Sequence, residues 1–316
     1  MWACFFPVAV PASQRKVVPS PPDFGSSYHV KGVISLPYSE IKEPFEAWID
    51  LAAKSSRIDY YHGKVSTYQL AAEEPWGVSY KIGSETTEID KNVKRCFLVN
   101  GTKNETVTPQ ASLPDVQGFQ FLRREYYKCS LCEVWQNVTT VGNKKNTYTL
   151  WVTRSDTGAD GKETNTPLHY EMMGYNTLLG SHYDKYWVDY KEFSTHVDPK
   201  DFSLPEAMSC EGFPGPGVEH HMLANPMRDL IDTSASGHLH NMFSHFKEKF
   251  QRQYSDEIEH EKREKAFLHS LRFIHSTNRK GLSFSVGVNH FSDRTRSELG
   301  IMTGRRKWLG CLSLWV

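Results

Sequence analysis

The chain has 316 residues, with 37 basic and 37 acidic side chains for zero formal net charge, and 13% of its residues are aromatic. That length suits about two domains of roughly 100–200 residues each. Balanced charge excludes the basic excess expected of a nucleic-acid or anionic-membrane binder, and no apolar run approaches the ~18–20 residues of a membrane span.

Residues 1–25 read as a leader. The first ten are a short apolar run followed by Pro11-Ala12-Ser13, either a secretory signal peptide with a small-residue cleavage site or a Pro-rich N-terminus. From 26 to 214 the pattern is β. Residues 57–61 and 64–70 flank His62-Gly63 as a hairpin. Further strands are expected at 78–82, 95–99, 119–127, 133–138, 147–153, 168–173 and 183–190, all aromatic and β-branched, with Gly, Asn and Pro between them. One helix is expected over 38–53. Short strands without long intervening helices predict an antiparallel all-β domain, a curled sheet or a sandwich. Tyr186, Val188 and Tyr190 share one parity, which predicts one buried face; filling a core is the simpler role for these aromatics than lining a ligand cavity.

Three sequons, at Asn100, Asn104 and Asn137, favour the secretory route to an extracellular or lysosomal destination. In an oxidising compartment the simplest cysteine pairing is Cys96 with Cys210 and Cys129 with Cys132, the latter requiring a turn between them. No second Cys-x-x-Cys is present to make a zinc site. His220, His221, His238, His240 and His245 lack a metal-site spacing, so neither metal nor cofactor is expected. The stretch Gly212-Phe213-Pro214-Gly215-Pro216-Gly217 breaks the pattern, and a linker is expected over 215–236.

After the linker the pattern turns helical, over 237–303. Phe243, Phe246 and Phe250 form a helical stripe, and Ser255 is expected to cap a second, longer helix. Along it, Glu259, Arg263, Phe267, Ser270, Ile274 and Asn278 recur at steps of three and four, which keeps them on one face. Asn278 and Gly281 are expected to end that helix. Residues 282–288 alternate as a short strand, and Ser292 or Asp293 is expected to cap a last short helix. Gly287, Asn289, Phe291 and Asp293 lie within that final stretch.

The spacing E-x3-R-x3-F-x2-N-x3-I-x3-N, followed by G-x-N-x-F-x-D, resembles the inhibitory propeptide of papain-like cysteine proteases, with Ser270 standing where the family has Asn. Together with residues 57–61, 118–121, 179–184 and 212–217, it resembles the N-terminal half of the 26/29 kDa cathepsin-like proteinases over about residues 22–300. The resemblance implies a two-domain α+β chain in which a β domain precedes a small helical inhibitor domain. It also implies a partner, the papain-like catalytic domain, whose cleft the propeptide blocks, with Glu259 and Arg263 in a buried polar network and 282–288 pairing with the partner by its edge. No stretch of the form Q-x-x-x-C-G-S-C-W is present and Cys311 lacks its context, so the expectation is a non-catalytic chain, divergent over 304–316, whose full-length relatives would be cysteine endopeptidases. Two alternatives stand beside this: a β domain that binds an apolar or glycan ligand, or part of an active endopeptidase.

Overall fold

The structure is a computed structural model that describes residues 18–86, 88–155, 164–205, 208–212, 227–232 and 237–302. The leader through residue 17, the Pro-Gly breaker from 213, His220, His221, Cys4, Cys311 and the tail from 303 lie outside those residues.

Twelve strands form one sheet among the described residues. They are β1 (Ser27–Leu36), β2 (Ile41–Asp50), β3 (Ser55–Tyr60), β4 (Val65–Leu70), β5 (Val78–Glu85), β6 (Val93–Asn100), β7 (Gln120–Tyr127), β8 (Ser130–Val141), β9 (Lys144–Ser155), β10 (Thr164–Asn176), β11 (Ser181–Ser194) and β12 (Cys210–Gly212). The spatial order is β12-β6-β5-β4-β3-β2-β1-β11-β10-β9-β8-β7. This is two antiparallel meanders, β1–β6 and β7–β11, joined where β1 pairs with β11. The exception to the antiparallel rule is β12, which runs parallel to β6 and places Cys210 opposite Cys96, where the two form a disulfide with Cα atoms 4.5 Å apart.

The stretch expected as a helix over 38–53 is instead a 3-10 turn at Pro37–Ser39 followed by β2. Ile41, Glu43, Phe45, Ala47 and Ile49 are all buried at strand spacing. The acidic residue in the middle of that row hides a period of two, because a carboxylate is not expected at a core position. The Cys129–Cys132 pairing is also corrected: Cys132 is a buried free thiol that donates to the Ser130 carbonyl at 3.4 Å. It faces inward from β8, whereas Cys129 sits in the β7–β8 turn at φ 68°.

Bulges bend the sheet at Lys31/Gly32 and Gly174/Tyr175. Both glycines are required by close approach: an added Cβ would lie 2.6 Å from the Phe45 ring at Gly32 and 2.5 Å from the Tyr183 ring at Gly174. The curled inner face gathers side chains from β1–β3 and β8–β11 into one core. Two other segments fill its middle. Leu113 and Phe119 enter from the β6–β7 connection, whose Ser112 N–H donates to the Tyr28 hydroxyl and whose Ser112 carbonyl accepts from Tyr190. Met227, Leu230 and Ile231 enter from helix α1 (Arg228–Ile231), and the Tyr186 hydroxyl donates to the Leu230 carbonyl at 2.6 Å. The inner aromatics therefore pack a core. A section of the expected linker, 227–231, belongs to that core.

Three helices follow: α2 (Gly237–Lys249), α3 (Glu257–Arg279) and α4 (Arg296–Met302). Met242, Phe243, Phe246, Phe267 and Leu271 make a second, smaller core between α2 and α3.

Candidate functional site: the two faces of helix α3

Helix α3 starts one residue later than the sequence suggests. Asp256, not Ser255, is the N-cap, and its side chain accepts from the Glu259 N–H at 2.8 Å. Ser255 takes the reciprocal part, donating through its N–H and its hydroxyl to Glu259 Oε2 at 3.2 and 2.8 Å. Both capping interactions thus use a residue of the helical motif.

The motif face carries two kinds of contact. Phe267 packs against Phe243 and Phe246 with ring centroids 5.4 and 4.7 Å apart, and Ile274 is buried further along. Arg263 is the polar hub. It donates to Glu259 at 3.2 Å, to both oxygens of Glu298 at 2.6 and 2.9 Å, and to the Asp293 carbonyl at 3.3 Å. The sequence reading missed Glu298, although Thr295-x-x-Glu298 is a capping box. Thr295 donates to Glu298 through both N–H and hydroxyl, and so it is Thr295 that starts α4, not Ser292 or Asp293. Ser270 is half-buried and its hydroxyl makes no hydrogen bond among the described residues.

Asn278 does more than end the helix. Its amide donates to the Val286 carbonyl at 2.8 Å and accepts from the Val286 N–H at 2.9 Å. That is the bonding pattern one strand offers its neighbour, supplied here by one side chain. Residues 282–288, expected as a strand, are not in any ladder among the described residues. Beyond them, Asn289 accepts from the Phe291 N–H at 2.9 Å, and Ser292 accepts from the Asn289 N–H at 3.0 Å. Asp293 is buried and accepts from the Tyr254 hydroxyl at 3.0 Å, with Arg252 Nε at 3.3 Å. Gly287 has open space where a Cβ would lie, and Phe284 and Phe291 are 54% and 40% exposed.

The opposite face of α3 lies on the sheet. At about 100° per residue, Glu261, Leu268, Arg272, His275 and Arg279 point roughly opposite to the motif residues. They meet the strands in spatial order. Lys144 of β9 bonds Glu264 at 2.5 Å, and Asn176 of β10 donates to Glu261 at 2.8 Å. On β11, the His182 carbonyl accepts from Lys265, the Tyr183 carbonyl lies 3.0 Å from His269 Nε2, and both oxygens of Asp184 accept from Arg272, at 2.7 and 2.8 Å. Glu43 of β2 accepts from Arg279 at 2.6 and 2.9 Å and from Ser276 at 2.8 Å, and Tyr61 beyond β3 meets Ser276 at 2.6 Å. The geometry closes: about eighteen helical residues advance about 27 Å, and about five inter-strand spacings, from β9 to β3, span about 24 Å. The helix therefore runs across the strands, from β9 through β10, β11, β1 and β2 to the end of β3.

Burial opposes the charge on Arg272 and Arg279, but Asp184 and Glu43 outweigh it and hold both guanidiniums above the usual arginine pKa. Burial likewise lowers His269 to about 4, so its imidazole is neutral at the seam, donating through Nε2 to Tyr183. Glu298 is lowered to about 2, first by its bonds to Arg263. Both groups have folded pKa values below their unfolded ones, so in each case stability falls as pH falls. The His269 contribution declines between its ordinary 6.5 and about 4, and the Glu298 contribution between 4.5 and about 2. Urea midpoints measured against pH should show the upper slope disappear in His269→Gln and the lower one in Glu298→Gln; slopes unchanged by either substitution would contradict these assignments.

The core of the β domain is packed by the side chains already named. Its interior is filled, and the cavity between α3 and the core, lined by Tyr60, Leu230 and Arg279 among others, holds about 30 Å³, room for a water molecule or two. On the outer face Tyr127, Trp151 and His169 stack together, but their polar groups are already engaged: Trp151 donates to Glu125, and Tyr127 and Lys128 donate to Asp189. Asn100 and Asn104 are exposed at and beyond the end of β6, whereas Asn137 is half-buried within β8 beside Gly118. Among the described residues no group of His, Cys, Asp and Glu is arranged to hold a metal, and no helix is long and apolar enough to cross a membrane.

Residues 243–299 match the cathepsin propeptide inhibitor domain (I29). The chain is 32% identical over 87 residues to cysteine proteinase 2 of Zea mays, and 31% identical over 87 residues to the oryzain gamma chain of Oryza sativa subsp. japonica. Each match takes in 24% of this chain and 24% of the relative, so the chain spans about a quarter of the length of the curated relatives it matches. A solved structure of an uncharacterized conserved protein from Thermus thermophilus covers 60% of this chain and 91% of its own at 9% identity, with a TM-score of 0.33, too low to carry an argument.

Proposed function

We propose that the I29 domain at 243–299 serves as the inhibitory propeptide of a papain-like cysteine protease, and that the β domain before it is the non-catalytic N-terminal part of the same precursor. The observation that carries this is the state of residues 282–291. Asn278 holds the backbone at Val286, yet among the described residues the segment joins no ladder, its Phe284 and Phe291 side chains are exposed, and Gly287 has no neighbour to demand a glycine. A segment tied to α3 at Val286 and packed at Val288, with Phe284 and Phe291 outward, is organised for a surface not supplied by the described residues. A protease cleft supplies that surface. The bare Gly287 then admits close approach of the partner's backbone. Glu259, Arg263, Phe267, Ile274 and Asn278 set the position of the segment, and Ser270 sits on the same face with a hydroxyl free to be replaced. In this reading the precursor follows the secretory route, with Asn100 and Asn104 as the accessible glycan acceptors.

The full chain, titrated against a papain-like protease, should inhibit at micromolar concentration. Phe284→Asp combined with Phe291→Asp should weaken inhibition by about tenfold or more without lowering the urea midpoint, since both side chains are already exposed. Absence of inhibition by the unsubstituted chain would sink the proposal. In a chain that does inhibit, Ser270→Asn should tighten binding or raise the midpoint.

A further inference from the structure

The β domain is not a neutral neighbour of the helical one. Its strand β2 presents Ile41, Glu43, Phe45, Ala47 and Ile49 inward, and Glu43 is 1% exposed in the middle of that row. A carboxylate placed there is costly without a cation. The cation is Arg279, 236 residues further along. Asp184 occupies the same kind of position on β11, inward with Tyr186, Val188 and Tyr190, 2% exposed, and its cation is Arg272. Neither countercharge comes from a strand. Arg279 binds Glu43 through two nitrogens and Arg272 reaches both Asp184 oxygens from Nη1, the two arginines lying two turns apart on one helix, with His269 and Ser276 bonding to the same strands alongside them.

We infer that the β domain is an intramolecular receptor for helix α3, gripping its back face through Glu43 and Asp184 so that severing the connection between the domains leaves the helical piece bound. The occupant of this surface is a segment of the chain itself. The choice rests on charge and spacing: two buried carboxylates on β2 and β11 match Arg279 and Arg272, about seven residues apart, or about 10.5 Å along a helix. The sheet places β2 and β11 two strand spacings apart, about 9.6 Å. A helix that merely packed for lack of water would need apolar residues here, and it has arginines. The consequence for the rest of the molecule is that α3 carries α2 and the 286–298 segment on its motif face and the sheet on its other face, so the exposed segment rests on a helix that is held from behind.

The test uses the full chain with a site-specific protease recognition sequence inserted at 233–236, between α1 and α2, which leaves α1 with the β piece. After cutting, the two pieces should co-elute in size exclusion at micromolar concentration. Arg272→Met with Arg279→Met, on the helical piece, should weaken the association by about a hundredfold or more, so that the pieces separate on the column. Glu43→Gln with Asp184→Asn, on the β piece, should do the same while leaving the helix unaltered. Using both pairs guards against a variant that simply fails to fold, because each leaves the other piece native. Separation of the unsubstituted pieces, or unchanged association in either double variant, overturns the assignment. The measurement involves no protease inhibition, so it succeeds or fails independently of the proposed propeptide function.

Discussion

Replacing Arg279 with methionine is expected to lower the unfolding free energy by roughly 3–5 kcal/mol, measured by urea denaturation at neutral pH. The cost comes less from the lost attraction than from what remains. Glu43 would stay in a site walled by the sheet and α3, with Ser276 as its remaining hydrogen-bond donor among the described residues. The Tyr61 hydroxyl, 2.6 Å from Ser276, has its pKa pushed up to about 12 by burial and then by the Glu43 charge, and a neutral phenol supplies no countercharge. The Tyr60 ring, which the Arg279 guanidinium now covers at 5.4 Å, would lose its cation as well. Adding Glu43→Leu to Arg279→Met should recover most of the loss, and it can exceed the starting stability by about 1–4 kcal/mol, because a buried ion pair is often replaceable by apolar groups of similar volume. If the single and double variants were equally destabilised, packing rather than charge would hold the seam. An m-value unchanged between variants would confirm that the same cooperative unit is being measured.

This pair also explains where the sequence is readable and where it is not. The 57–70 hairpin is legible because Tyr61, His62 and Gly63 occupy positive φ values of 49°, 59° and 78°, and the His-Gly step signals such a turn. The 183–190 strand is legible because its alternation is unbroken by charge on the inner side beyond Asp184. Strand β2 is not, because Glu43 interrupts the apolar row and its partner enters from another domain. Helix α3 shows the same asymmetry. Its motif face carries Phe267 and Ile274, which announce a core, and Arg263 with Glu259, which are neighbours in sequence. Its second face, Glu261, Leu268, Arg272, His275 and Arg279, is equally periodic but mostly charged, and a charged face normally means solvent. Only the arrangement of six strands, drawn from both meanders of the sheet, turns that face inward. Cys132 failed for a related reason: the spacing of two cysteines says nothing about which of them a strand turns inward.

The two faces differ in what they can lose. Phe267→Ala removes the ring at the centre of the α2–α3 core, 2% exposed and in contact with Phe243 and Phe246, and is expected to cost about 3–5 kcal/mol in that core. Few residues could collapse into the space, since Met242 and Leu271 already pack around it. The seam on the other side of α3 is untouched by this change. Amide exchange should therefore divide the molecule. Protection along α2 should fall steeply, because its buried side chains belong to the damaged core. Protection in α3 from Arg272 to Arg279 should fall far less, because Asp184 and Glu43 still hold that half of the helix to the sheet. Arg279→Met reverses the pattern, loosening the C-terminal half of α3 while the Phe267 cluster keeps α2 in place. Equal loss of protection along both helices in Phe267→Ala would mean that α3 is held as one cooperative element and that its two faces do not act separately. With unequal loss, a surface that engaged the exposed 282–291 segment, which Asn278 ties to α3, would find the helix already fixed from behind, and its binding would not have to supply the ordering free energy of the 23 residues of α3.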